Sequence, residues 1–173
     1  MALFTAVVTA TGAAKLVQYW GGLITPIDLI SYYKVGEGGW VDPGGGREPR
    51  TPDPTFTDLD IILDASRVPG PDPKRYDVAE NFGYYQKALI GGDFSSPSPG
   101  ILRVSCMLLN AEYNTKFPGG VLVYDVGGPY MAPEIWEIGL FDQANDMIFY
   151  GTFSKETKDA TKQIENVCRL VAG

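Results

Sequence analysis

Apolar and polar positions first form a pattern at Ala13, Leu16, Val17 and Trp20, whose i, i+3, i+4, i+7 spacing puts them on one face of an α-helix. Thr11 suits the N-cap and Gly21-Gly22 the stop, so a short amphipathic helix of about three turns is predicted. Ile27 to Val35, rich in Ile and Tyr, reads as a strand. From Asp58 to Asp64 the chain alternates: Leu59, Ile61 and Leu63 share one face, and Asp58, Asp60 and Asp64 share the other with Ile62. That predicts a half-buried strand with an acidic outer face. Phe82 to Ile90 reads as a further strand, and Ile101 to Asn110 as a strong one, apolar on both faces apart from Arg103 and Ser105. Ile135 to Phe141 and Met147 to Phe153 flank the polar Asp142-Gln143-Ala144-Asn145-Asp146 and predict a hairpin. Ile164, Val167, Cys168 and Val171 fit either a helix or a strand; the surrounding strands favour a strand.

Between these elements the pattern collapses. Gly36 to Pro54 holds six glycines and four prolines, from Gly36-Glu37-Gly38-Gly39-Trp40 through Gly44-Gly45-Gly46 to Pro54, and excludes a helix or a central strand. Val68 to Asn81, Gly91 to Gly100 and Asn114 to Pro129 are irregular too, the last with a short apolar stretch at Val121 to Val126. The sequence therefore predicts an α+β, β-dominant single domain over residues 1–173. A short N-terminal amphipathic helix packs on an antiparallel sheet, with long Pro/Gly-rich loop insertions at about 36–54 and 68–100. No internal repeat or heptad pattern is present.

Composition narrows the function. The 173 residues include no histidine, which removes Ser-His-Asp and Cys-His catalysis and the zinc sites that need imidazole. A formal net charge of −7 argues against binding a phosphate backbone. The 21 glycines and 13 prolines make up about a fifth of the chain, against an average near 12%. Met1 to Ala14 is uncharged, but the first lysine is Lys15, so a signal peptide's basic n-region is missing; Leu16 to Ile27 is broken by Gly21-Gly22 and Pro26. A mature, soluble chain without membrane insertion is expected. Cys106 and Cys168 each lie in an apolar stretch and are expected to be buried free thiols, with a disulfide between them as the alternative.

Candidate chemistry is thin. A phosphate-binding loop needs glycines that lead into a helix, whereas here they lead into Arg47-Glu48-Pro49-Arg50. Alternate aspartates along one strand face lie roughly 6.6 Å apart and cannot close around a cation alone, so Asp58, Asp60 and Asp64 are expected to be solvated. Glu134 and Glu137 are three apart and face opposite sides of a strand, which rules them out as an acid/base pair. A protein that is not an enzyme and has no cofactor or metal is expected. Of the aromatics, Trp40 stands in a glycine-rich loop and is the candidate interface anchor, with burial against its own domain as the equal alternative. Arg47, Arg50, Tyr84 and Tyr85 complete the candidate interface.

Two stretches carry a resemblance. One is Phe4-Thr5-Ala6-Val7-Val8-Thr9, Gly12-Ala13-Ala14-Lys15-Leu16 and Tyr33-Lys34-Val35-Gly36-Glu37-Gly38-Gly39. The other is Glu137-Ile138-Gly139-Leu140-Phe141-Asp142, then Met147-Ile148-Phe149-Tyr150-Gly151-Thr152-Phe153 and Lys158. In order and spacing they resemble the N-terminal attachment domain of bacteriophage tail-collar and tail-fibre proteins. Gly139 in a strand marks a place where another backbone or ring comes close, and Leu140 and Phe141 point to opposite faces.

The resemblance implies a structural virion protein of the tail or baseplate, assembled in the host cytoplasm, with baseplate-wedge and tail-fibre chains as partners and an oligomeric state in the particle. The chain ends soon after the last family-like strand, which favours an adaptor between fibre and baseplate or collar. The alternative is a host-glycan receptor-binding module built on Trp40, Tyr84 and Tyr85.

Overall fold

Two antiparallel sheets share one apolar layer, and a helix closes one end of it. The computed structural model describes residues 4–63, 84–110, 112, 133–159 and 161–171. In chain order the elements are β1 (Phe4–Val8), α1 (Ala10–Trp20), α2 (Pro26–Leu29), β2 (Tyr32–Gly36), β3 (Trp40–Val41), β4 (Glu48–Pro49), α3 (Asp60–Leu63) and β5 (Tyr84–Ala88). A 3₁₀ turn (Gly91–Asp93) then leads to β6 (Phe94–Ser95), β7 (Ile101–Leu108), β8 (Glu134–Phe141), β9 (Met147–Thr157) and β10 (Ile164–Val171). Strands take 44% and helices 18% of the described residues, so the fold is β-dominant as expected.

One sheet runs β1-β9-β8-β2-β5 and the other β10-β7-β6; β3 and β4 form a separate two-stranded ribbon. Every pairing is antiparallel. Tyr33, Val35, Ile138, Leu140 and Phe149 of the larger sheet meet Leu102, Val104, Leu108, Ile164 and Leu170 of the smaller one in the main core. The Tyr33 hydroxyl donates to the Met107 carbonyl at 2.8 Å and ties the two sheets together.

The predicted hairpin is β8–β9. Its turn is held by Asp142, whose Oδ1 accepts from the Ala144 and Asp146 amides, both at 2.9 Å. Residues Ile101–Leu108 and Ile164–Val171 form strands as expected and pair with each other over their full length. β7 is buried on one face only: Leu102, Val104, Cys106 and Leu108 point inward while Arg103 is exposed.

Helix α1 is present, but its cap and buried face differ from expectation. Thr9, not Thr11, is the N-cap: its hydroxyl accepts from the Gly12 amide at 2.9 Å and donates to the Met147 carbonyl. Leu16 is 5% exposed and Val17 73%. Gly12 is buried on the inner face with Leu16, and a Cβ there would meet the Ile148 backbone. Periodicity alone favoured Val17; the close helix–strand approach selected Gly12. Phe4–Val8, in the uncharged N-terminal stretch, is an edge strand paired with β9.

Ile27 to Val35 is not one strand. Thr25 and Asp28 form a capping box with Pro26 in the first turn, so α2 precedes β2. Asp58 to Asp64 is not a strand within its described part either: Asp60–Leu63 is a helical turn, with the Ile62 and Leu63 amides donating to the Leu59 carbonyl. A tertiary acceptor, described below, overrides the alternation. The 36–54 segment contains the β3–β4 ribbon, and the 84–100 part of the second insertion contains β5, the 3₁₀ turn and β6, so neither is wholly irregular. Residues 68–83 and the Val121 to Val126 stretch lie outside the described residues.

Candidate functional site

The face of the larger sheet turned away from the smaller one carries a cluster of buried charges, Lys34, Asp60 and Glu137. Glu137 (β8) and Thr152 (β9) are directly paired there, as are Gly139 and Tyr150, and Lys34 (β2) lies opposite Gly139. Leu59, Ile61, Phe141, Met147 and Tyr150 form a second apolar cluster around them. The β3–β4 ribbon and α3 cover this face.

Glu137 is fully buried. Its Oε2 accepts from the Asp60 amide and the Tyr150 hydroxyl, each at 2.7 Å, and its Oε1 from the Ile61 amide at 3.1 Å. The Asp60 and Ile61 amides belong to a helical first turn with no partner inside the helix, so the carboxylate supplies one and fixes α3 as a helix. Burial still pushes the Glu137 carboxyl up to about 7, with the neighbouring Asp60 charge acting the same way and the three donors opposing it. Tyr150 is pushed up as well, first by burial and then by Glu137.

The niche around this carboxylate is made of missing side chains. A Cβ on Gly36 would stand 2.7 Å from Glu137 Oε1, and one on Gly38 2.6 Å from the same atom. Gly39 adopts φ +74°, and its amide donates to Asp60 Oδ2 at 3.1 Å. The first three glycines of the loop thus wrap the protein's own carboxylates.

Asp60 is buried and ion-paired with Arg50, and Asp58 with Lys34 at 2.9 Å. The expected solvated acidic face is therefore wrong for both: each aspartate is engaged by a cation of this chain. Asp64 lies outside the described residues. Lys34 Nζ also lies 4.3 Å from the centroid of the Phe141 ring. The β-bulge between Ile135 and Glu137 breaks the alternation from which opposite faces were expected for Glu134 and Glu137: Ile135 and Ile138 both enter the main core, and Glu134 pairs with Lys155 at 3.0 Å and with Arg47 at 3.6 Å.

Trp40, Arg47 and Arg50 come together on the β3–β4 ribbon. The Trp40 indole N–H donates to the Glu37 carbonyl at 2.8 Å, and the Arg47 guanidinium stacks 4.1 Å over its ring. Trp40 is half-buried and packed locally, although no element was predicted around it. Arg50 is held by Asp60, lies over Phe56, and its carbonyl accepts from the Thr152 hydroxyl at 2.6 Å. The ribbon is thus pinned at its base, while residues 41–48 are all exposed. Tyr84 and Tyr85 lie apart from it on β5 and divide between the clusters, Tyr84 toward the second and Tyr85 toward the main core.

Sequence reasoning missed Glu137 and Asp60 as the centre of this face. The available signal was the coexistence of a side-chain-free loop and an acidic residue in an otherwise apolar strand. Gly139 behaves as expected: a Cβ there would stand 2.7 Å from the Phe141 ring. Leu140 and Phe141 fall in the two different clusters, so β8 is buried on both sides.

Cys106 and Cys168 are buried free thiols, as expected. The alternative disulfide does not fit the register, which pairs Cys106 with Asn166 and Cys168 with Val104. Such diagonal neighbours have Cα atoms about 7–8 Å apart, beyond the usual disulfide span. Their mutual hydrogen bond, followed by burial, raises the Cys106 thiol well above its ordinary value.

Among the described residues no helix is long and apolar enough to cross a membrane. Comparison with protein-family models, with curated proteins and with solved structures found no match.

Proposed function

We propose that this chain is a structural protein of a tailed-phage virion, an adaptor that links tail fibres to the baseplate or tail collar. The observation that carries the reading is the way the resembling segments fit each other. Gly36, Gly38 and Gly39 enclose Glu137, and Thr9 and Gly12 seat α1 on Met147 and Ile148. Lys15 pairs with Asp142 and Asp146. Segments far apart in sequence are thus mutually required parts of one scaffold, as expected if they were inherited together. Their side chains are used to build the fold, which suits a protein that works through shape and leaves its loops for partners.

On this reading the exposed ribbon tip at residues 41–48 is a contact segment. The receptor-binding alternative asks for open aromatic rings, and it is less well supported, because Arg47 covers the Trp40 ring and the two tyrosines face different clusters. Mass spectrometry and cryo-EM of purified particles provide the test. The adaptor reading expects the protein in the tail, and expects a variant with the 42–46 tip shortened to fold but to be poorly incorporated. A protein absent from mature particles overturns it.

A further inference from the structure

We infer that the outer edge of β10 joins a second copy of this chain, so that two three-stranded sheets become one continuous six-stranded antiparallel sheet. β10 ends its sheet, and among the described residues no strand pairs with its outer side. It is eight residues long and contains no Pro or Gly, and its pairing with β7 shows no register shift. An edge of that length and regularity is a template for strand addition unless something blunts it.

The occupant is set by the strand's own pattern. Glu165, Val167, Arg169 and Val171 are exposed, Val167 at 39% and Val171 at 58%. When β10 pairs antiparallel with itself about Val167, Val167 faces Val167 of the second copy. Glu165 then faces Arg169 of the second copy, and Arg169 faces its Glu165. Direct cross-strand pairs of opposite charge stabilise an antiparallel ladder, and like pairs oppose it. The inward row continues across the seam too, with Ile164 opposite Leu170 of the second copy.

The charges within one copy favour the same partner. Arg103 and Arg169 are directly opposite each other in the monomer, both exposed, and neither makes an ion pair among the described residues. This like-charged pair has no ion-pair partner among the described residues, and the proposed register supplies Arg169 with one. Among the described residues Glu165 meets only the Ser105 hydroxyl, at 2.6 Å, which leaves its charge uncompensated. The edge strand β5 lacks this self-complementarity: centred on Gln86, it would set Tyr85 against Lys87. Self-pairing of β10 is independent of the virion role proposed above, and either can fail without the other.

Light scattering and sedimentation equilibrium on the purified full chain test it. The wild type is expected to dimerise, more weakly as salt rises. Arg169→Glu places glutamates opposite each other and is expected to weaken dimerisation roughly tenfold or more. The double variant Glu165→Arg/Arg169→Glu restores opposite charges and is expected to restore the dimer. Circular dichroism checks that the variants stay folded, which their exposed positions favour. A monomeric wild type, a dimer untouched by Arg169→Glu, or a double variant no tighter than the single one each overturns the inference.

Discussion

At Glu137, burial and three hydrogen-bond donors act against each other, and the outcome is measurable. The folded carboxyl keeps its proton up to about pH 7, the unfolded one only to about 4.5. Between those values the folded state holds the extra proton, so stability is greatest below the window and falls as pH rises through it. Each pH unit across that window is worth about 1.4 kcal/mol, so the loss from this group is on the order of 3 kcal/mol. Urea midpoints across pH 4 to 8 should show that decline in the wild type and a flatter profile in Glu137→Gln; equal slopes would contradict it. Arg50→Ala takes away the cation paired with the buried Asp60 carboxylate. Breaking a buried ion pair costs about 3–5 kcal/mol. Arg50 is 36% exposed, so roughly 2 kcal/mol is expected here, read as a lower denaturation midpoint. Asp60→Asn in the Arg50→Ala background should recover part of it.

Helix α1 shows how packing reverses a local preference. Ala is favoured over Gly in a helix interior by about 1 kcal/mol, yet at Gly12 the added methyl would strike the Ile148 backbone, and overpacking costs about 1–3 kcal/mol. Gly12→Ala should therefore lower the thermal midpoint, while Ala13→Gly, on the exposed side, should lower it only by its propensity. The same contest explains which elements were legible in the sequence. The β8–β9 hairpin and β7 were readable because their apolar runs and the polar turn at Asp142–Asp146 agree with their tertiary setting, whereas the apolar spacing of β10 suits helix and strand alike and only its neighbours decided it. The Asp58–Asp64 alternation misled because the decisive partner, the Glu137 carboxylate, lies 77 residues from Asp60. The α1 face misled because the spacing cannot register how near β9 comes. The ribbon at Trp40 was invisible because its pairs, Trp40–Pro49 and Val41–Glu48, are too short to set up an alternation.

For the whole molecule, the layer between the two sheets encloses both thiols, so their reactivity reports on the entire fold. Cys106 and Cys168 are each 0% exposed, and the Cys106 thiol is further held in its unreactive protonated form. A water-soluble disulfide reagent should label neither under native conditions. Labelling should rise with urea in step with the loss of circular dichroism signal; rapid labelling of the native protein would show that the sheets part independently.

The strand order of the larger sheet also constrains how the chain acquires its shape during synthesis. β1 and β2, made first, are never neighbours; β9 and β8 stand between them. A ribosome that has just passed Leu108 has therefore produced β1, β2 and β5 of that sheet with its centre still missing. Glu137, which organises the glycine loop and α3, arrives later still. The native sheet closes only when the late β8–β9 hairpin takes its place between β1 and β2.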